Sequence, residues 1–194
     1  MPESLSIFIA AITSHNLALT YILGMCPMLG VSKNLDTAVG MGISVAFVVV
    51  VTSMVNWGIY NLILVPTGTE ILNYVVFIVV IGASVQLLEM ILEKFLPALY
   101  RAFGIFLPLI TVNCVVLSIS LFMTLRNYDF ITTLVFALGS AIGWLIAIAI
   151  VAAIREKLKL TGDVPRGLQG PGIVMIILGI VALAFMGFGG MVSV

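Results

Sequence analysis

Six apolar segments, each long enough to cross a bilayer, take up almost the whole chain, at residues 5–31, 38–64, 71–92, 98–123, 130–153 and 171–192. About 20 apolar residues in a helix span the hydrocarbon core. In lipid, backbone polar groups have no water to turn to, so each segment has to satisfy its own, as a helix does. Charge closes the soluble alternative. Only 8% of the residues are charged, against roughly 25% in soluble domains, so a solvated surface around a core of this size is out of reach. The expected fold is all-α integral membrane, with six transmembrane helices in a single domain over 1–194. The net charge is zero, which leaves no basic footprint for nucleic acid. Glu3 is the only early charge. The positive start of a signal peptide is missing, and the first segment reads as a mature span.

The short loops hold nearly all the charge. With six spans, the loops after the first, third and fifth share one side. They carry Lys33, Lys94, Arg101, Arg155, Lys157, Lys159 and Arg166, and the other side carries Arg126 alone. Positive residues mark the cytoplasmic side, which places these three loops in the cytoplasm and both termini outside.

Three spans in each half (about 1–95 and 96–194) make any similarity between halves an inverted-topology repeat. Gly24-Met25-Cys26-Pro27-Met28-Leu29 resembles Gly104-Ile105-Phe106-Leu107-Pro108-Leu109-Ile110. Lys33-Asn34-Leu35-Asp36 resembles Arg126-Asn127-Tyr128-Asp129, and a glycine-spaced span follows each. The expectation is an inverted repeat of two three-helix halves, with interrupted helices carrying the cysteines. Interrupted segments in corresponding halves point to a site near the midplane.

The chain has two cysteines, Cys26 and Cys114. Cys114 lies midway between Arg101 and Arg126, near the bilayer centre. Cys26 is roughly 10 Å of helix from Lys33, among the helix breakers Gly24, Pro27 and Gly30. Three readings stay open on these residues alone. They are buried thiols acting as small hydrophobes, a disulfide, which neither thiol's surroundings favour, or two ligands of a metal site. Two thiolates are half of the set that a [2Fe–2S] cluster uses.

The motifs carry a resemblance. Asn16-Leu17-Ala18-Leu19 through Leu23-Gly24-Met25-Cys26-Pro27-Met28-Leu29-Gly30-Val31-Ser32-Lys33, Leu107-Pro108-Leu109-Ile110-Thr111-Val112-Asn113-Cys114, and Ala153-Ile154-Arg155-Glu156-Lys157 with Asp163-Val164-Pro165 resemble one family over essentially the whole chain. It comprises the D and E membrane subunits of the sodium-pumping NADH:quinone oxidoreductase (Nqr) and the A and E membrane subunits of the related Rnf complex. Met25-Cys26, Trp144 and Arg155-Glu156-Lys157-Leu158-Lys159 most resemble the E branch of Nqr. The short loop around Val65-Pro66-Thr67-Gly68 resembles the A branch of Rnf. The resemblance implies a homologous six-helix partner of opposite topology. It also implies that Cys26 and Cys114 ligate a [2Fe–2S] cluster shared with two cysteines of that partner, in a bacterial inner membrane.

Other residues keep two readings each. Glu89, with Gln86 one turn away, is either part of a sodium pathway or an interfacial carboxylate; an acid within a span is a functional candidate by default. Asn113 is a candidate donor to the cluster sulfurs. His15 and Asn16 read as structural hydrogen-bonding groups, and Asn56 and Asn61 as interfacial. Arg155, Lys157 and Lys159 read first as topology signals, and secondly as a docking site for a soluble redox subunit.

The chain has no dinucleotide fingerprint, P-loop or catalytic triad. It is therefore not an enzyme alone, and NADH, flavin and quinone chemistry falls to other subunits of an Nqr or Rnf complex. The leading expectation is a membrane subunit of a respiratory, ion-pumping oxidoreductase that relays electrons across the membrane. A small secondary transporter with a midplane site is the rival from another class, and would need several polar side chains converging at that depth.

Overall fold

The computed structural model describes residues 2–13, 16–68, 70–95, 107–162 and 170–187. His15, Arg101, Gly104, Arg166, Asp163-Val164-Pro165 and the end of the last expected span lie outside the described residues. Those described form helices and connecting turns. In chain order they are α1 Pro2–Ile12, α2 Leu17–Thr20 and α3 Met25–Val31. Next come α4 Leu35–Ile59, a π-helical turn Tyr60–Leu64 and α5 Val65–Thr67. A 3₁₀ turn Glu70–Leu72 leads into α6 Asn73–Phe95. Then follow α7 Leu107–Thr111, α8 Cys114–Leu125, α9 Phe130–Thr161 and α10 Pro171–Met186. Three continuous runs, Leu35–Thr67, Asn73–Phe95 and Phe130–Thr161, are long and apolar enough to cross a membrane. Leu109–Leu125 and Pro171–Met186 are apolar but shorter.

The first expected span, 5–31, is not one helix. It breaks before Asn16 and again over 21–24. At the first break Asn16 is extended (φ −65°, ψ 109°), and its side chain accepts the Ala18 N–H at 3.1 Å. Such a side chain stands in for a missing backbone partner and starts the next helix. At the second break Ile22 (φ 55°) and Gly24 (φ 76°) turn left-handed. Pro27 and Gly30, expected to break the helix, instead lie inside α3. Pro27 occupies its first turn, where a backbone N–H has no intrahelical acceptor to lose. The fourth span repeats the lesson. Pro108 lies within the short α7, and the break falls at 112–113. There Asn113 is extended (φ −73°, ψ 112°) and its side chain accepts the Val115 N–H at 3.1 Å. The breaks at Asn16 and Asn113 are asparagine caps of nearly the same geometry, the break over 21–24 is made at left-handed Ile22 and Gly24, and proline makes none of the three.

Helix α9 is the hub. A Cβ on Gly139 would lie 2.9 Å from Ala11 Cβ, and one on Gly143 3.0 Å from Asn16 Nδ2. These glycines therefore let α1 and the first break approach the α9 backbone, the usual device where helices pack in lipid. Asn16 Nδ2 donates to the Gly143 carbonyl at 2.9 Å and to Ile12 O at 3.2 Å, the structural role expected of it. Helix α4 runs antiparallel to α9. Gly42 abuts Leu145 near one end, and Trp57 Nε1 donates to Tyr128 O at 3.1 Å near the other. Val45 and Val48 of α4 and Ala137, Ala141 and Ile148 of α9 are buried in the core.

Two expectations change. Asn56 is not interfacial: it is fully buried, and its Nδ2 donates to Ser120 Oγ of α8 at 2.8 Å. Asn61 is exposed. The fifth helix also outruns its apolar segment, continuing from 153 to Thr161. Arg155-Glu156-Lys157-Leu158-Lys159 ends the hydrophobic run, but these are good helix formers and do not end the helix. It stops at Gly162 (φ 74°), whose N–H closes on Leu158 O.

Candidate metal centre at Cys26 and Cys114

The Asn113 cap sets Cys114 as the first residue of α8, half-buried. The left-handed turn at Gly24 sets Cys26 in the first turn of α3, exposed on the chain's surface. Both thiols are free, so the disulfide reading falls away. One hydrogen bond ties the two cysteine segments together: the Gly24 N–H donates to Cys114 Sγ at 3.0 Å, across 90 positions of sequence. The bond puts a sulfur in an acceptor role two residues from the second cysteine.

Only glycine fits at position 24. A Cβ there would meet Trp144 Nε1 at 2.4 Å, Val115 Cγ2 at 2.8 Å and Asn113 Oδ1 at 3.2 Å. Just before it, Ile22 holds φ 55°, an outlier for a β-branched residue. Backbone strain of this sort gathers at functional sites. Two polar groups around Gly24 are buried with no hydrogen-bond partner among the described residues, Trp144 Nε1 and Asn113 Nδ2. Sequence reasoning singled out Asn113. It used Trp144 as a mark of resemblance and gave it no role at the site, although an indole directly after the packing glycine Gly143 was a signal.

The far end of α3 is also held. Arg155 is buried, and its Nη1 donates to Ser32 Oγ at 2.7 Å and to Leu29 O at 3.5 Å. Lys159 Nζ donates to Lys33 O at 2.7 Å. Cations at a helix C-terminus meet its free carbonyls. The basic end of α9, read from sequence as a topology signal, thus clamps the helix that carries Cys26.

Glu89 is not joined to the cysteines. Phe77, Ile81, Val85 and Leu88 form the buried face of α6, which packs on α7 and α8. Glu89 flanks that face, half-exposed, its carboxylate making no hydrogen bond or ion pair to the described residues. Among the described residues no group of three or more His, Cys, Asp and Glu side chains could hold a metal. A metal at the cysteines needs ligands from elsewhere.

Over residues 4–192 the chain matches the family described as Rnf-Nqr subunit, membrane protein. It belongs to the Rnf-Nqr family. One Rnf-Nqr relative, from Photorhabdus laumondii, is 47% identical over 98% of both chains and is named as the E subunit of Na⁺-translocating NADH-quinone reductase. A protein of the same name from Serratia proteamaculans is 48% identical over 98% of both chains. A third, from Clostridium ljungdahlii, is 44% identical over 100% of both chains and is named as the A subunit of the proton-translocating ferredoxin:NAD⁺ oxidoreductase complex. Its alignment spans 194 positions, the length of this chain, whereas the two Nqr alignments run to 196 and open gaps. Both branches of the Rnf-Nqr family anticipated from the motifs are thus among the relatives.

Proposed function

We propose that this chain is a membrane subunit of a cation-translocating respiratory oxidoreductase, in which Cys26 and Cys114 supply two ligands of an iron–sulfur centre. A homologous subunit of opposite topology supplies the other two. The observation that carries this reading is the 3.0 Å bond from Gly24 N–H to Cys114 Sγ, which draws two free thiols from distant segments into one neighbourhood. The donor set fits: a [2Fe–2S] centre takes four thiolates, and soft sulfur is the ligand such clusters select. Cys26 is exposed, as a site completed by a second protein requires. When bound, the centre supplies one-electron transfer. The chain's own part is to hold two sulfurs in place, to donate a backbone N–H to one of them, and to lock the Cys26 helix between the Gly24 turn and the Arg155–Ser32 clamp. NADH, flavin and quinone belong to other subunits.

The relatives' names support the NADH:quinone reductase reading. The full-length alignment with the Clostridium protein and the short connection between Thr67 and Glu70 favour the A subunit of an Rnf complex as the second reading. The transporter alternative draws little support. Buried Thr52 and Ser120 bond back to carbonyls of their own helices, and Asn56 pairs with Ser120. Iron and acid-labile sulfide analysis of the purified assembly, with an EPR spectrum after reduction, tests the proposal. The expected result is a cluster in the assembly and none in this chain purified alone as a monomer. A stable cluster on the lone monomer would refute the shared site.

The matched caps at Asn16 and Asn113 support an inverted repeat of six spans. In that register Cys114 corresponds to Leu17, so the two cysteines occupy different positions of their halves. The Lys159–Lys33 bond sets the first and fifth loops on one face, and the Trp57–Tyr128 bond sets Arg126 at the opposite end of α4. With positive residues inside, both termini are periplasmic in a bacterial inner membrane. Cysteines introduced at Lys33, Lys94 or Lys159 should react with impermeant reagents only from the cytoplasm, and one at Arg126 only from outside. Labelling of both sets from one side would sink the topology.

Glu89, an acid within α6, is assigned to the cation path. Glu89→Gln should raise the sodium concentration for half-maximal turnover about tenfold, the scale of a ~1.4 kcal/mol loss, and leave the cluster spectrum intact. Unchanged sodium dependence would return Glu89 to the membrane interface.

A further inference from the structure

We propose that Trp144 is a positioning residue for the centre at Cys114: its indole N–H, the Asn113 amide and the Gly24 N–H form one set of donors to sulfur and raise the centre's reduction potential. This rests on the iron–sulfur reading above. Trp144 is fully buried, and its Nε1 finds no acceptor among the described residues. Buried polar atoms are mostly hydrogen-bonded; among the described residues Asn56, Asn73, Thr133 and Ser140 also hold an unpartnered oxygen, but Trp144 Nε1 and Asn113 Nδ2 are the unpartnered side-chain nitrogens, and both residues adjoin Gly24. The chain's other tryptophan makes the contrast, because Trp57 spends its N–H on Tyr128 O at 3.1 Å.

The unspent group is at the site. Trp144 Nε1 lies 2.4 Å from where a Gly24 Cβ would stand, and Asn113 Oδ1 lies 3.2 Å from the same point. Asn113, the residue before Cys114, is buried as well; its Oδ1 caps α8, and its Nδ2 has no partner among the described residues. The third donor, Gly24 N–H, already points at Cys114 Sγ. Two orphaned donors and one engaged with sulfur call for an acceptor rich in negative charge, which thiolate and bridging sulfide supply. Hydrogen bonds to cluster sulfurs are one of the protein's levers on potential. They stabilise the reduced, more negative state, so removing them lowers the midpoint.

The test is a redox titration of the assembled complex, followed by EPR, for wild type, Trp144→Phe and Asn113→Ser. Serine retains a capping oxygen. Both variants are expected to keep their iron and sulfide and to shift the midpoint to lower potential, with the double variant lower still. An unshifted midpoint at full iron content would overturn the proposal. A second measurement does not depend on how the variants fold. In wild-type complex carrying ¹⁵N-indole tryptophan in this chain, the reduced centre should show hyperfine coupling to one indole nitrogen. An uncoupled spectrum would leave a water or a protein carbonyl as the acceptor and would overturn the assignment. Absence of any centre from the wild-type complex would instead refute the function on which it rests.

Discussion

Cys26→Ser and Cys114→Ser are each expected to erase the centre's spectral signal in the assembled complex and to stop electron transfer. A serine oxygen is a hard, poorly ionised ligand where iron selects thiolate. The two losses should not add, because one missing ligand already destroys the site and residues that act as a unit are strongly coupled. The packing alternative predicts something different at each position. At half-buried Cys114 a hydroxyl in place of sulfur costs roughly 1–3 kcal/mol and leaves electron flow intact. At exposed Cys26 it costs almost nothing, since the side chain is open on this chain's surface. Cys26→Ser is therefore the sharper variant: an inactive complex of unchanged stability points to ligation, and a fully active one refutes it.

Gly24→Ala is the second large effect, and Gly68→Ala is its control. Both glycines hold positive φ, 76° and 67°. Alanine in that region costs roughly 1–2 kcal/mol. Nothing lies within 4 Å of a Cβ at Gly68, so its variant should lose only that amount. At Gly24 the new methyl would stand 2.4 Å from Trp144 Nε1 and 2.8 Å from Val115 Cγ2. Overpacking adds about 1–3 kcal/mol, for a total of roughly 2–5 kcal/mol, a large share of a typical stability of 5–15 kcal/mol. Relief requires the Gly24 turn to leave α8, which breaks the bond to Cys114 Sγ. Thermal unfolding in detergent should rank the variants wild type, Gly68→Ala, Gly24→Ala, with the cluster lost only from the last. Equal melting shifts would show that Gly24 serves its backbone angle alone.

The sequence by itself determined the class of protein. Six long apolar runs with so few charges admit helices in lipid and little else, and the eight basic residues divide cleanly between alternate loops. It also marked the candidate site, because a cysteine among Gly24, Pro27 and Gly30 is an odd way to build a span. It placed the interruptions only in part. Gly24 does break the first span with a left-handed turn, but Pro27 and Gly30 lie inside α3, and the breaks at Asn16 and Asn113 are made by side-chain oxygens capping the following turn. The basic end of α9 was misjudged because hydropathy ends where charge begins, whereas the helix runs on to Thr161. Only the tertiary structure decided which residues meet. It set Gly24 against Cys114, Trp144 against Gly24, Asn56 against Ser120 and Arg155 against Ser32. The physical reason lies in the solvent. In water an amphipathic stripe tells which face of a helix is buried, but lipid is as apolar as a protein core. Exposed Ile78 and buried Phe77 therefore look alike in sequence, and the meeting of Gly24 with Cys114 is fixed by packing across 90 positions that no local pattern records.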